Sequence, residues 1–203
     1  MINISEKAII MAHSFMKYFR PLPELENKRL FLRRAYLTDT DDLFICMRNK
    51  NVCEFEVWSP HTSNIETLGF VNSLLIRYDN GTCTDWIIER KRDKRAIGVI
   101  NLHDFSQSNN NSEMGFWLAE DCWGKGYATE SAETILEFAF YVLQLNKVSC
   151  LCAAQNIRSK KVMKKLHMSY EGTLRKHINI HGTLTDIEVY SILRAEFHMP
   201  QNS

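Results

Sequence analysis

Residues 113–130 read EMGFWLAEDCWGKGYATE. Glu113 to Leu118 make a strand-like apolar and aromatic run, and the segment from Thr129 onward opens a helical pattern. Between the two, Gly124, Gly126 and Ala128 remove side-chain bulk from every second position, which lets backbone touch a ligand. A strand, a small-residue loop and a helix N-terminus together present unpaired N–H groups and a positive dipole end, the physical recipe for a phosphate site. A dinucleotide fingerprint GxGxxG is excluded, because Thr129 stands where its third glycine would be. A nucleotide P-loop is excluded as well, because no Gly-Lys-Ser/Thr triplet occurs in the chain. Taken alone, the segment also fits a tight turn into a helix with no ligand.

Downstream, Ala132, Ile135, Leu136, Ala139, Phe140 and Leu143 recur at i, i+3, i+4, i+7, i+8 and i+11, the stripe of a long helix with one buried face. Lys147 to Ala153 reads as a strand, and a shorter helix carries Ser159, Val162, Met163 and Leu166. Two strands, Arg175 to Ile180 and Thr185 to Leu193, close the chain around His181-Gly182. Upstream, Thr84 to Glu89, Ala96 to Leu102 and Glu113 to Leu118 suggest an antiparallel meander. Its basic cluster Arg90 to Arg95 reads as a solvated hairpin tip. Arg29 to Arg34 alternates like a half-buried strand. Thr38 with Asp41 and Ser63 with Glu66 give capping-box starts for two helices. The order is β-α-α-β-β-β-α-β-α-β-β, an α/β (α+β) chain. In the first twenty residues Ile4, Ala8, Met11, Phe15 and Tyr18 or Phe19 predict an amphipathic helix ended by Pro21 and Pro23, docked on its own domain or on a partner subunit. The division expected is 1–26 for this helix and linker, and 27–203 for one catalytic domain.

The 203 residues carry 25 basic and 24 acidic side chains, so no global field exists to hold a polyanion. Nucleic acid and an anionic membrane are disfavoured as partners, and a small or locally charged substrate is expected. No apolar run approaches the roughly 18 residues a spanning helix needs, and no secretory leader is apparent, so a cytoplasmic protein is expected. Cys46, Cys53, Cys83, Cys122, Cys150 and Cys152 form no CxxC pair; no metal site is expected, and the thiols read as free packing groups.

WGKGYATE, following EMGFWLAEDC and preceding a long helix, resembles motif A of the GNAT acetyltransferases. QNIRSKKVMKKLHMSYEGTLR at 155–175 resembles that superfamily's next segment, with Asn156 and Ser159 in NxxS spacing. LFLRR and TDTDD at 30–34 and 38–42 resemble its N-terminal arm. The resemblance covers about residues 27 to 195. It is most similar to the branch of ribosomal-protein N-terminal (alanine) acetyltransferases, with Trp123 opening the loop and TDIEVYSIL near the end. It implies a mixed, mostly antiparallel twisted sheet of about six to seven strands flanked by helices.

The resemblance further implies acetyl-CoA as co-substrate and direct attack of an amine on its thioester. The pyrophosphate would lie on Gly124, Lys125, Gly126, Tyr127, Ala128 and Thr129, and the pantetheine arm along the strand edge Trp117, Leu118 and Ala119. Asn156 would bond the arm's amides or serve only as a helix cap, Ser159 would donate to the departing sulfur, and Lys160, Lys161, Lys164 and Lys165 would either reach a phosphate or form a solvated helix face. The chain departs from the family in having Met163 at a position where many members carry a catalytic Tyr, and His167-Met168 in place of Gly-Phe. Glu113 is the first candidate for general base and His177 the second, either acting through a water. At pH 7 deprotonating an α-amine of pKa about 8 costs roughly 1 kcal/mol, against about 4.6 for a lysine near 10.4. The acceptor is therefore expected to be a protein N-terminus or a small amine; a CoA-binding sensor without turnover is a further possibility.

Overall fold

The computed structural model describes residues 15–198. Among the described residues, five α-helices and eight strands follow one another in the expected order, with two additions. Strand β1 (Leu25–Glu26) precedes β2 (Leu30–Arg33), and a one-turn helix α2 (Lys50–Cys53) follows α1 (Thr40–Met47). Then come α3 (Asn64–Asp79), β3 (Asp85–Arg90), β4 (Arg95–Ser106), β5 (Asn111–Leu118), α4 (Tyr127–Glu137), β6 (Lys147–Ala153), α5 (Ile157–Lys165), β7 (Ser169–Ile180) and β8 (Thr183–Leu193). The sheet has eight strands in the order β1-β2-β3-β4-β5-β6-β8-β7, rather than six to seven. The additional strand is the two-residue β1, too short to leave a periodic signal, and it places Leu25 and Glu26 in the sheet rather than in a linker.

Every neighbouring pair is antiparallel except β5 and β6. That parallel pair joins only Asn111 to Lys147, Ser112 to Val148 and Glu113 to Ser149. Beyond it β5 stays registered on β4 as far as Leu118, while β6 stays registered on β8 as far as Ala153. The two halves of the sheet therefore part into a wedge. Gly98 helps hold β5 to β4 at the open end, since a Cβ there would collide with the Trp117 carbonyl.

Helices cover both faces. Phe138, just past α4, packs edge-on against Trp86 at 5.8 Å, and Phe19 meets the same indole at 5.9 Å. Phe15 and Phe19 are both buried, so the described end of the expected N-terminal helix docks on its own domain; residues 1–14 lie outside the described residues. The long helical stripe is realised as α4 continued by a π-helical turn at Phe138–Val142. His167, which stands where the resemblance expects glycine, takes a left-handed conformation (φ 57°), and the α5 terminus still closes through Met168 N–H to Met163 O at 3.0 Å.

The Arg90–Arg95 tip is not simply solvated. Arg90 is buried and held by Asp93 at 2.5 Å, and Arg95 bonds Asp121 at 2.6 Å, because the tip folds back on the domain. All six cysteines are buried and free.

Candidate active site

The loop read first in the sequence becomes a cradle. Gly124 and Gly126 have φ of +71° and +84°, left-handed conformations that glycine takes without strain. Gly126 is the N-cap of α4 and offers no side chain, and the first bond of the helix runs from Glu130 N–H to Gly126 O at 3.0 Å. The N–H groups of Tyr127, Ala128 and Thr129 thus lack intrahelical partners and face outward at the positive end of the dipole. Arg29 clamps the loop from behind: it donates to Glu130 at 2.5 Å and to the Lys125 carbonyl at 3.0 Å, and lies 4.5 Å over the Tyr127 ring.

A cavity of about 310 Å³ opens on this helix end. Gly124, Gly126, Tyr127, Ala128, Thr129, Trp117, Leu118, Asn156 and Ser159 all line it, so nine of the expected residues converge. Lys125 and Ala119 do not. The Lys125 ammonium turns back to the Asp121 carbonyl at 2.6 Å, and Ala119 N–H continues the ladder to Ile97 O at 2.8 Å, away from the cleft. The Leu118 carbonyl, on the expected template edge, accepts the Trp123 indole N–H at 2.9 Å. Of the four lysines of α5, Lys161 and Lys165 line the cavity together with Arg158, whereas Lys160 bonds the Ala154 carbonyl and Glu188. Asn156 caps α5, its Oδ1 accepting Ser159 N–H at 3.1 Å, which turns its amide N–H₂ free of the cap.

A second cavity, of about 330 Å³, occupies the wedge itself, between Met114–Trp117 of β5 and Cys150–Ala153 of β6. Val99, Asn101, Gly115 and Trp117 alternate onto its floor because β4 and β5 pair Val99 with Trp117 and Asn101 with Gly115. Trp58 and Phe70 roof it, and Trp58 meets Trp117 edge-on at 5.8 Å. Asn101 is fixed by Asp85 Oδ1 at 2.8 Å and by Gly115 N–H at 3.2 Å. The two cavities share Phe55, Glu56, Phe116, Trp117, Asn156 and Ser159.

Neither Glu113 nor His177 lines either cavity. Glu113 stands opposite His103 at the closed end of the wedge, with a carboxylate oxygen of Glu113, a ring nitrogen of His103 and a carboxylate oxygen of Asp104 within 4.8 Å of one another. Burial raises its carboxyl, and the neighbouring imidazoles of His103 and His177 oppose that rise. His177 is exposed on the outer strand β7. The carboxylate at the junction is instead Glu56, half-buried in the segment between α2 and α3, where desolvation pushes the carboxyl up to about 7 and the nearby Trp58 side chain partly opposes that rise. The segment CEFEVWSP around it has no secondary-structure period, and an acidic residue flanked by aromatics is its one sequence signal.

A crevice with backbone amides and cations at one end, opening into an aromatic wedge at the other, suits an extended phosphorylated donor meeting a small acceptor. Residues 29–169, well over half of the chain, match the family model described as acetyltransferase (GNAT) domain. The uncharacterised N-acetyltransferase YnaD of Bacillus subtilis (strain 168) is 36% identical over 175 residues, covering 86% of this chain and 99% of that one. The spermidine N(1)-acetyltransferase of Vibrio cholerae is 23% identical over 171 residues, covering 84% and 96%. The crystal structure of ribosomal-protein-S5-alanine acetyltransferase from Vibrio fischeri superposes with a TM-score of 0.73 at 17% identity, over 87% of this chain and 99% of that one. The chain belongs to the GNAT acetyltransferase family.

Proposed function

We propose that the chain moves an acetyl group from acetyl-CoA to a primary amine, either a protein N-terminal α-amine or a small-molecule amine. One observation carries this: the phosphate-competent cavity and the aromatic wedge meet at a shared set of residues that includes Asn156 and Ser159. The N–H groups of Tyr127, Ala128 and Thr129 would hold the pyrophosphate, and Arg158, Lys161 and Lys165 would supply countercharge. Asn156, with Oδ1 committed to its cap, would offer N–H₂ to the arm's carbonyls, and Ser159 would offer its hydroxyl to the sulfur. When bound, acetyl-CoA supplies the activated acyl carbon; the protein positions it and excludes water with Phe55, Phe116 and Trp117.

The test has two parts. Acetyl-CoA should raise the melting temperature, and Ala128→Asp, which sets a carboxylate where the pyrophosphate would lie, should abolish that rise. An undiminished rise in the variant would sink the cradle assignment. A thiol-release screen over peptides with free N-termini, polyamines and aminoglycosides should then find turnover with at least one class. Binding of acetyl-CoA with silence toward every amine would leave a sensor rather than an enzyme.

A further inference from the structure

Acetylation needs a group that takes a proton from the incoming ammonium at the point where donor and acceptor meet. Two carboxylates line the wedge, Asp85 and Glu56, and they differ in what they touch. Asp85 is fully engaged, receiving Arg77 at 2.9 Å, Asn101 at 2.8 Å and the Cys83 thiol at 3.3 Å. Glu56 lines both cavities and is in no ion pair among the described residues. We infer that Glu56 is the general base of the acetyl transfer, receiving the amine's proton directly or through one water at the mouth of the wedge. The inference rests on the acetyltransferase reading and replaces Glu113 in that role.

Glu56 removes one proton from R–NH₃⁺. The freed lone pair forms the C–N bond as the acyl C–S bond breaks with its electrons going to sulfur. The thiolate takes the second proton from that nitrogen, and Glu56 later returns its own to solvent, so one amide, one free thiol and one proton result.

The surroundings fit the task. Partial burial among Phe55, Trp58, Phe116 and Trp117 raises the Glu56 carboxyl to about 7, against the usual 4.5. Proton transfer from an α-amine of pKa about 8 is then uphill by roughly tenfold, instead of by about four powers of ten. The other titratable groups around it have their own partners or stand on the far walls. From α5, Arg158 pairs with Glu54 at 3.0 Å, and Lys161 and Lys165 line only the donor cavity. From the sheet, Asp85 pairs with Arg77 and His103 with Asp104 at 2.9 Å, while the Cys53, Cys150 and Cys152 thiols are pushed up by burial and stay protonated. The Trp58 side chain beside Glu56 partly offsets the effect of burial.

The experiment uses the full chain with acetyl-CoA and the fastest amine of the thiol-release screen. Wild-type kcat/KM should rise with pH to a midpoint near 7. Glu56→Gln should lower kcat by about 10²- to 10⁴-fold with the KM for acetyl-CoA within twofold, and should abolish that acid limb, so that the residual rate follows the free-amine fraction. Trp58→Phe, which deletes the donor and keeps the carboxylate, should move the limb to higher pH; this variant decides the matter if Glu56→Gln does not fold. An acid limb near 7 that persists in Glu56→Gln overturns the inference, as does loss of the limb in Glu113→Gln instead. Either result leaves the acetyltransferase reading standing, whereas silence of the wild type toward every amine overturns both.

Discussion

The Arg158 guanidinium lies 4.2 Å over the Trp123 indole, and that contact ties helix α5 to the loop that opens α4. The same indole reaches back through Nε1 to the Leu118 carbonyl at 2.9 Å. One side chain thus joins the end of β5, the glycine loop and the basic face of α5 around the donor cavity. Trp123→Ala removes both contacts and should raise the Kd for acetyl-CoA by about tenfold or more, the equivalent of roughly 1.4 kcal/mol lost from a cation–π contact and a hydrogen bond. Trp123→Phe, which keeps a ring under Arg158, should recover part of the loss. Calorimetric titration of both variants checks this; equal affinities in wild type and Trp123→Ala would refute it.

The lysines of α5 divide by face. Lys161 and Lys165 line the donor cavity, while Lys160 is tied to Glu188 at 3.1 Å and Lys164 does not line that cavity. Lys161→Ala and Lys165→Ala should each weaken acetyl-CoA binding about three- to tenfold at low salt, and less at 0.5 M salt, because exposed charges are screened over a few ångströms there. Lys164→Ala should leave the affinity within twofold. A uniform effect from all three, or none from any, would show that countercharge is not set by this face.

The loop, the α5 spacing and the succession of elements along the chain are legible in the sequence because each is a local signal: small residues on alternate positions, a cap followed by a 3.6 period, alternation in strands. The acceptor side is not. Its wedge exists because β5 and β6, more than thirty residues apart in the chain, share only three residue pairs before diverging, and register of that kind has no local trace. Glu56 and Trp58 come from an aperiodic segment, and what marks Glu56 is burial, which appears only once the segment folds over the wedge. Glu113 is a carboxylate at the start of the central strand, and the strand's pairing with β6 puts it at the closed end of the wedge. The division of the lysines could have been read: Arg158, Lys161 and Lys165 fall at i, i+3 and i+7, one face of a helix.

Gly115 lies on the floor of the second cavity, the proposed acceptor site. A Cβ there would lie 2.8 Å from Asn101 Oδ1 and 3.5 Å from His103 Nε2, so even alanine forces Asn101 off Asp85 or fills the cavity. Gly115→Ala should raise the KM for the amine about tenfold or more while leaving acetyl-CoA affinity within twofold, because the donor cavity does not include residue 115. Initial-rate measurements with each substrate varied separately test this, and a rise confined to acetyl-CoA would reverse the assignment of the two cavities.

The Glu56 carboxyl should also be visible in stability. Its folded value near 7 exceeds the usual 4.5, so between those values the folded state holds a proton that the unfolded chain has released. Stability due to this group is therefore intact below about pH 4.5, falls as pH rises toward 7, and stays reduced above it by at most about 3 kcal/mol. Glu56→Gln keeps an acceptor for Trp58 and carries no charge, so it should melt higher than wild type at pH 8 and level with it near pH 4.5. That is the pattern of a residue whose buried charge costs stability. Melting curves of the two proteins across this range check it; a variant less stable than wild type at pH 8 would mean that the carboxylate is held by partners that stabilise its charge, contrary to the burial described above.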